Sequence, residues 1–251
     1  MKFRKYSTAV GVLCLVLAAC QAERTPPSPD VEAPPPRDEV PMVEIPLDDA
    51  SADTEASLER NFYFIFDGSG SMRGEPRYPC REDQQFRSKL EGARWAVLEF
   101  LTKIPEDVAI GLYLFDRRGK GEVVPLGKGN RREFLAEIDG IQAGRGTPLA
   151  DAIVFGTDRL VEQYKQQLGY GEFRLVVVTD GRADKIPEAA RYATKYGIPI
   201  YAIGLCIRED HPLRQHAVSY RAADSFEDLA RGLEETLAEM PAFDVTEFTP
   251  E

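Results

Sequence analysis

The sequence contains few of the residue types from which disulfide scaffolds and histidine-based metal sites are built. Its 251 residues include four cysteines, two histidines and one tryptophan. Four cysteines are too few for a disulfide-rich scaffold. Positive charge is also in short supply, because 31 Lys and Arg stand against 42 Asp and Glu, for a net charge of −11. This acidic balance argues against non-specific nucleic-acid binding, which requires a basic face.

A hydrophobic run long enough to span a membrane is also missing. Three positive residues precede an apolar run at 9–17, which is shorter than the roughly 20 residues that a spanning helix needs. The run ends in Leu17-Ala18-Ala19-Cys20, which resembles the bacterial lipobox. The resemblance implies that residues 1–19 are a lipoprotein signal peptide. It also implies that the Cys20 thiol carries a diacylglycerol anchor and that palmitate is part of the lipid modification. The alternative is a plain secretory signal with a chance cysteine.

Residues 20–60 lack any aromatic side chain from which a core could form. The segment holds eight prolines, eleven Asp and Glu, and three Arg, a composition that favours extended, charged backbone. We interpret it as a disordered tether, with a partner-binding proline-rich motif as the alternative. At about 3 Å per residue, the tether reaches roughly 100 Å when fully extended. Its charge of −8, with +3 on the signal peptide, leaves −6 for residues 61–251.

From residue 61 onward, short apolar runs alternate with amphipathic helical patterns. The apolar runs predict buried strands at 61–66, 107–115, 173–179 and 198–205, with shorter strands at 122–126 and 220–223. Apolar residues three or four apart predict helices at 90–104, 149–164, 187–196 and 226–237. Such alternation implies parallel pairing with right-handed crossovers. We therefore predict an α/β domain over 61–240, followed by a C-terminal tail at 241–251. Its fold is a doubly wound, mostly parallel central sheet with one short antiparallel edge strand and helices on both faces.

Oxygen-bearing side chains follow the ends of these predicted strands. Asp67, Ser69 and Ser71 alternate in the loop directly after the first strand, where glycines allow a sharp turn. Thr147 precedes a predicted helix, and Asp180 ends a predicted strand. Because parallel strands end at one edge of a sheet, we expect these five metal-site residues to lie together. Hydroxyl and carboxylate oxygens suit a hard cation, Mg²⁺ in particular.

The five metal-site residues resemble the metal-ion-dependent adhesion site (MIDAS) of the von Willebrand factor A-type (VWA) domain family. The resemblance covers about residues 61–240 and implies a VWA, Rossmann-like fold. It implies that the hydroxyls of Ser69, Ser71 and Thr147 bind Mg²⁺, with Mn²⁺ and Ca²⁺ as alternatives. It further implies that Asp67 and Asp180 hold the metal largely through water and orient the serines. One coordination position then stays open for a carboxylate of a partner protein.

These features predict a membrane-anchored bacterial lipoprotein whose VWA domain binds a protein partner through Mg²⁺. The role would be adhesion or scaffolding in the cell envelope. Gln21 after Cys20 resembles the outer-membrane sorting pattern of Gram-negative cells. Two alternatives are a metal-dependent hydrolase that uses the same site and a purely structural domain. The sequence offers no general base beside the metal motif, which favours a non-catalytic role. We assign partner specificity to four rim loops, at 72–87, 116–121, 140–146 and 206–216.

Other polar residues receive simpler interpretations. Asp151 is a favourable acid in the first turn of its predicted helix. The stretch 116–119 is interpreted as a solvated loop, with a place at the rim of the metal site as the alternative. His211 and His216 lie five residues apart, a spacing that suits neither a helical pair nor a zinc motif. For Asp180 considered alone, an ordinary Asp-Gly turn is the alternative.

The four cysteines separate by position. Cys14 leaves with the signal peptide and Cys20 is assigned to the lipid, so Cys80 and Cys206 remain. Both follow carboxyl ends of predicted strands, and the expected compartment is oxidising. We therefore hypothesise a disulfide between them at the rim of the metal site.

Overall fold

The structure is a computed structural model that describes residues 41–47, 56–76, 86–181, 183–206, 211–223 and 225–238. All of them belong to one compact unit, Pro35–Glu251. The predicted signal peptide, Cys20, most of the predicted tether, Cys80 and the predicted tail lie outside the described residues. Within the described ranges, no helix has the length and apolar character that crossing a bilayer requires.

Among the described residues, six strands form a single sheet in the order β3-β2-β1-β4-β5-β6. They are β1 (Arg60–Asp67), β2 (Ala109–Phe115), β3 (Lys120–Gly127), β4 (Glu172–Thr179), β5 (Ile200–Leu205) and β6 (Ser219–Ala223). β1 pairs in parallel with β2 and β4, and β5 pairs in parallel with β4 and β6. β3 pairs with β2 in antiparallel orientation at the sheet edge. The predicted fold class is confirmed.

Within the described ranges, five helices cover the sheet: α1 (Lys89–Lys103), α2 (Arg131–Asp139), α3 (Leu149–Gln166), α4 (Ile186–Lys195) and α5 (Phe226–Ala238). The sequence pattern predicted four of them and missed α2. This nine-residue helix buries Phe134 and Ile138, and Leu135 packs partly buried against the same cluster. Two apolar residues one turn apart are too weak a periodic signal to identify a helix. Two short 3-10 helices, Gly70–Arg73 and Pro212–Gln215, were also missed.

The strand β1 shows how the sheet divides the core. Alternate side chains point to opposite faces of a strand. Phe62, Phe64 and Phe66 therefore contact the cluster that includes α1, α2 and α5. Tyr63 and Ile65 contact the cluster that includes α3 and α4. Because both faces are covered, the central strands are apolar along nearly their whole length.

The parallel register places three strand ends level with one another. Asp67 at the end of β1 pairs with Phe115 at the end of β2, and Phe66 pairs with Val178 of β4. The chain leaves β1 toward β2 on one side, while β4 lies on the other side. The sheet therefore has a topological switch point between β1 and β4, where open α/β sheets bind ligands.

Candidate metal centre

The loop after β1 lies tightly against the end of β2. The Gly68 N–H donates to Phe115 O at 2.9 Å. A methyl group on Gly68 would lie 2.9 Å from that same oxygen and 2.9 Å from Ile141 Cγ2, so the position accepts only glycine. The buried Met72 anchors the 3-10 turn that follows. These contacts hold Ser69 and Ser71 at the edge of the sheet.

Hydrogen bonds join four of the five metal-site residues. Ser69 N–H donates to Asp67 Oδ1 at 2.8 Å, and the hydroxyls of Ser69 and Ser71 are 2.9 Å apart. Ser71 Oγ donates to Asp180 Oδ1 at 2.7 Å. Thr179 Oγ1 donates to the second carboxylate oxygen of Asp67 at 2.6 Å. The network orients both carboxylates and both serines.

The fifth residue, Thr147, faces the same space. A methyl group placed on Gly181 would lie 3.8 Å from Thr147 Oγ1, 3.9 Å from Asp67 Oδ2 and 4.0 Å from Ser71 Oγ. Three side-chain oxygens therefore lie around one point, which is open because Gly181 has no side chain. The structure brings all five metal-site residues to one place at the switch point.

The chemistry of this donor set fits a small hard cation. Three hydroxyls and two carboxylates supply only oxygen, the ligand type that Mg²⁺ prefers. Across the part of the chain that the structure describes, there is no metal-binding cluster of three or more His, Cys, Asp or Glu. A site built mainly from hydroxyls does not belong to that class. Ser69 is buried, whereas Ser71 is exposed and Thr147 is half-buried, so the site opens to solvent.

Burial dominates the electrostatics of Asp67. Desolvation raises the pKa of this carboxyl above its ordinary value, and the nearby charge of Asp180 adds to the rise. Hydrogen bonds from Thr179 and Ser69 lower the pKa in part. A cation beside Asp67 would favour its charged form in the same way as these bonds.

Asp180 also has a partner that the sequence analysis missed. Lys89 Nζ lies 2.7 Å from Asp180 Oδ2, where the side chain of Asp180 is fully buried and that of Lys89 is 17% exposed. Lys89 is the first residue of α1, which Ser88 caps by accepting the Glu91 N–H. A cation at a helix N-terminus is unfavourable, so a lysine at this position signals a nearby carboxylate.

His211 contacts the backbone of Gly181 next to the site and is not one of the metal-site residues. Its Nε2 lies 2.9 Å from Gly181 O, and its Nδ1 accepts the Leu213 N–H at 3.2 Å. Because Nδ1 accepts, Nε2 carries the proton that is donated to Gly181 O. The ring is buried and stacks on Tyr220 at 5.7 Å. The sequence spacing of the two histidines gave no sign of this contact.

The interpretation of the loop at 116–119 as solvated was wrong for Asp116, although Arg117 and Arg118 are exposed. Asp116 is 2% exposed. Its carboxylate accepts hydrogen bonds from the backbone of Arg118, Gly119 and Gln142 and from Arg118 Nε. Burial acts to raise the pKa of Asp116, but these hydrogen bonds and the charge of Arg118 outweigh it, and the pKa is lowered. Asp116 therefore joins two rim loops beside the metal site.

Two further sequence predictions concern residues near the site. Asp151 lies in the first turn of α3 and pairs with Lys120 at 2.6 Å, consistent with a surface role. Cys206 is disulfide-bonded and follows β5, with its N–H donating to Ala223 O at 3.0 Å. Its hypothesised partner, Cys80, lies outside the described residues, so that pairing stays a prediction.

Comparison with known proteins agrees with this architecture. Residues 61–247 match the model of the von Willebrand factor type A domain, which is most of the chain. The chain belongs to the von Willebrand factor type A domain family. No curated protein matches it closely enough to be counted a relative.

Several solved structures resemble this VWA domain at low sequence identity. One is an aerotolerance-related membrane protein from Bacteroides fragilis, with 15% identity, a TM-score of 0.52 and coverage of 71% of this chain and 98% of the other. The pilus adhesin SpaC from Lactobacillus rhamnosus has 16% identity, a TM-score of 0.55 and coverage of 74% and 31%. The minor pilin PilB from Streptococcus sanguinis has 14% identity, a TM-score of 0.53 and coverage of 71% and 60%. At these identities the likeness concerns the fold.

Proposed function

We propose that this VWA domain is a recognition module that binds a protein partner through a divalent cation, Mg²⁺, held by the five metal-site residues. The observation that carries the proposal is the convergence of Thr147 Oγ1, Asp67 Oδ2 and Ser71 Oγ on the open point at Gly181. The Ser71 hydroxyl lies within hydrogen-bond distance of Ser69 Oγ and Asp180 Oδ1. Adhesins and pilins among the structural neighbours support a binding role rather than a catalytic one.

The donor set explains how such a site would bind a partner. Ser69, Ser71 and Thr147 would hold the cation through neutral hydroxyls, while Asp67 and Asp180 orient those hydroxyls and supply the negative charge. A bound cation with few anionic ligands remains electrophilic and attracts a carboxylate from outside. Exposed Ser71 and half-buried Thr147 leave the approach open on the solvent side.

Metal binding is tested on the purified full chain in detergent. We expect Mg²⁺ to raise the melting temperature relative to chelator, because a ligand of the native state stabilises it by about 2.7 kcal/mol at a hundred times its Kd. Ser69→Ala and Asp67→Asn should abolish the rise. Asp151→Asn removes a carboxylate at the same edge that is not a metal-site residue, and should keep it. The absence of any rise in the wild type would refute the proposal.

Partner binding is tested by affinity capture from an envelope extract, with Mg²⁺ and with chelator. The proposal predicts a protein that is captured only with Mg²⁺ and only by the wild type, not by Ser69→Ala. A hydrolytic activity that Ser69→Ala abolishes would instead identify the domain as an enzyme.

We also propose that the chain is a lipoprotein anchored in the cell envelope through Cys20. If the cell is Gram-negative, the anchor lies in the outer membrane, on its periplasmic or surface face. The lipobox-like Leu17-Ala18-Ala19-Cys20 supports this, and the membrane-related neighbour from Bacteroides fragilis is consistent with it. Residues 20–40 would then act as the tether, because Val43 N–H donates to Lys195 O at 2.8 Å and Arg60 begins β1. Metabolic labelling with palmitate should mark the wild type and leave Cys20→Ala unlabelled. Equal labelling of both proteins would contradict the assignment.

A further inference from the structure

Three arginines flank the metal site, one from each of three rim loops. Arg73, Arg117 and Arg145 are all exposed. None of the three forms an ion pair with any residue in the described part of the chain. We call them the arginine collar. The rim loops at 72–87 and 206–216 lie partly outside the described residues.

Contacts around Gly144 bring the collar together. A methyl group on Gly144 would lie 2.9 Å from Arg73 Nη2 and 3.0 Å from Arg117 Cβ, so these two side chains meet over one glycine. Arg73 Nε also donates to Ala143 O at 2.8 Å. Arg73 and Arg117 therefore lie together at Gly144, and Arg145 is the next residue along the same loop.

Backbone hydrogen bonds fix the arginine collar to the metal-binding loop. The Gly144 N–H donates to Gly68 O at 2.9 Å, and the Gly70 N–H donates to Arg145 O at 3.0 Å. The Arg117 N–H donates to Gln142 O at 2.8 Å. The collar and the metal-site residues therefore belong to one preorganised surface, and a partner that reaches the metal also meets the collar.

Arg145 adopts a backbone conformation that arginine disfavours. Its φ is 65°, in the left-handed region, where glycine is unstrained. Both neighbours, Gly144 and Gly146, are glycines, yet the strained position carries a long, charged side chain. Strain held at an exposed residue beside a binding site indicates that its side chain is used there.

The charge pattern defines the kind of partner. Positive charges that lie close together without a paired acid among the described residues favour an anionic ligand. Guanidinium groups also form bidentate hydrogen bonds with carboxylates. Three arginines fall short of the four to eight basic residues typical of lipid-binding clusters. The domain charge of −6 also disfavours extended anionic surfaces such as membranes and nucleic acid.

We infer that the arginine collar selects a partner protein whose contact surface carries a cluster of carboxylates. One carboxylate reaches the metal and the others pair with Arg73, Arg117 and Arg145. The first of these contacts rests on the proposed function, whereas the pairing with the collar does not.

The test measures binding of a fluorescent poly-L-glutamate peptide to the full chain, with Mg²⁺ and with chelator. Arg145→Gly removes both the charge and the strain, so we expect a protein at least as stable as the wild type that binds severalfold more weakly. Arg117→Glu combined with Arg145→Gly should weaken binding about tenfold, because several ion pairs with one ligand are lost. The matched control is Arg132→Glu, which reverses an exposed charge near the start of α2 and should change binding less than twofold.

Separate measurements distinguish the collar from the metal site. The Mg²⁺-dependent rise in melting temperature should be the same in the collar variants and the wild type. If the wild type shows no such rise but the collar variants bind the peptide more weakly than the wild type, the proposed function is refuted. The role of the arginine collar is then supported on its own. Equal weakening by Arg132→Glu, or unchanged binding by the double variant, would overturn the inference. Stronger binding to phosphatidylglycerol vesicles than to the peptide would also overturn it.

Discussion

Replacing Lys89 by methionine should tighten Mg²⁺ binding. The ammonium lies 2.7 Å from Asp180 Oδ2, on the side chain that would supply charge to the cation. A divalent cation at the site must therefore compete with Lys89 for Asp180 and tolerate a positive neighbour. Methionine has a similar length and keeps the helix propensity, but it removes this competition.

The structure sets the size of the effect. Opposite charges 4 Å apart near a protein surface attract by about 4 kcal/mol before desolvation is subtracted. Because Lys89 is 17% exposed and Asp180 is fully buried, we expect a net loss of about 1–3 kcal/mol for the metal-free variant. If the cation recovers even about 1.4 kcal/mol of this, the Mg²⁺ dissociation constant falls about tenfold.

Two measurements separate the effects on stability and affinity. Calorimetric titration gives the dissociation constant, and denaturation with chelator gives the stability of the metal-free protein. The variant should melt below the wild type in chelator and show a larger rise when Mg²⁺ is added. Lys165→Met is the matched control, because Lys165 lies in α3 and has no ion pair with a described residue. An unchanged or weaker Mg²⁺ affinity in Lys89→Met would show that Lys89 does not compete with the metal.

Three further substitutions test the surroundings of the site. Gly68→Ala places a methyl against Phe115 O, so denaturation should show a loss of about 1–3 kcal/mol together with a smaller Mg²⁺-dependent rise in melting temperature. In Gly92→Ala the new methyl group would overlap the Phe226 ring between α1 and α5. We expect a similar loss of stability, with the Mg²⁺ affinity measured by calorimetry unchanged. Asp116→Asn should destabilise the protein most at neutral pH. The pKa of Asp116 is lower in the folded protein than its ordinary value of 3.8, so the charged carboxylate stabilises the fold at pH values above 3.8. The difference from the wild type in urea denaturation should narrow as the pH falls through 3.8 toward the folded pKa, and a difference that grows on acidification would contradict this assignment.

The fold was predictable because its signals are local. Apolar runs such as the one that became β1 identify buried strands, and the parallel sheet follows from their alternation with helices. The same rule predicted that the metal-site residues would meet, because carboxyl ends of parallel strands share an edge. The helix α2 escaped detection because only Phe134 and Ile138 mark its buried side.

The surroundings of the site depend on contacts between distant parts of the chain. Lys89 and Asp180 are 91 residues apart, and Asp116 accepts the backbone N–H of Gln142 across 26 residues. Each pairing follows from how a particular loop lies over the sheet edge, and no spacing in the sequence encodes it. His211 is similar, since its role depends on the position of Gly181 O.

The charge of the domain illustrates the same limit most clearly. A total of −6 over residues 61–251 suggests a surface that repels acidic partners. Elsewhere on the described surface, many arginines and lysines pair with acids, as Arg118 does with Asp116 and Glu137. The arginine collar has no such pairs with the described residues, so three uncompensated positive charges lie beside the metal site although the domain is acidic. Salt screens charges that lie far from the binding face. A partner at contact distance therefore interacts with the arginine collar more than with the total charge of the domain. The distribution of charge, which requires the fold, therefore decides which partner can bind.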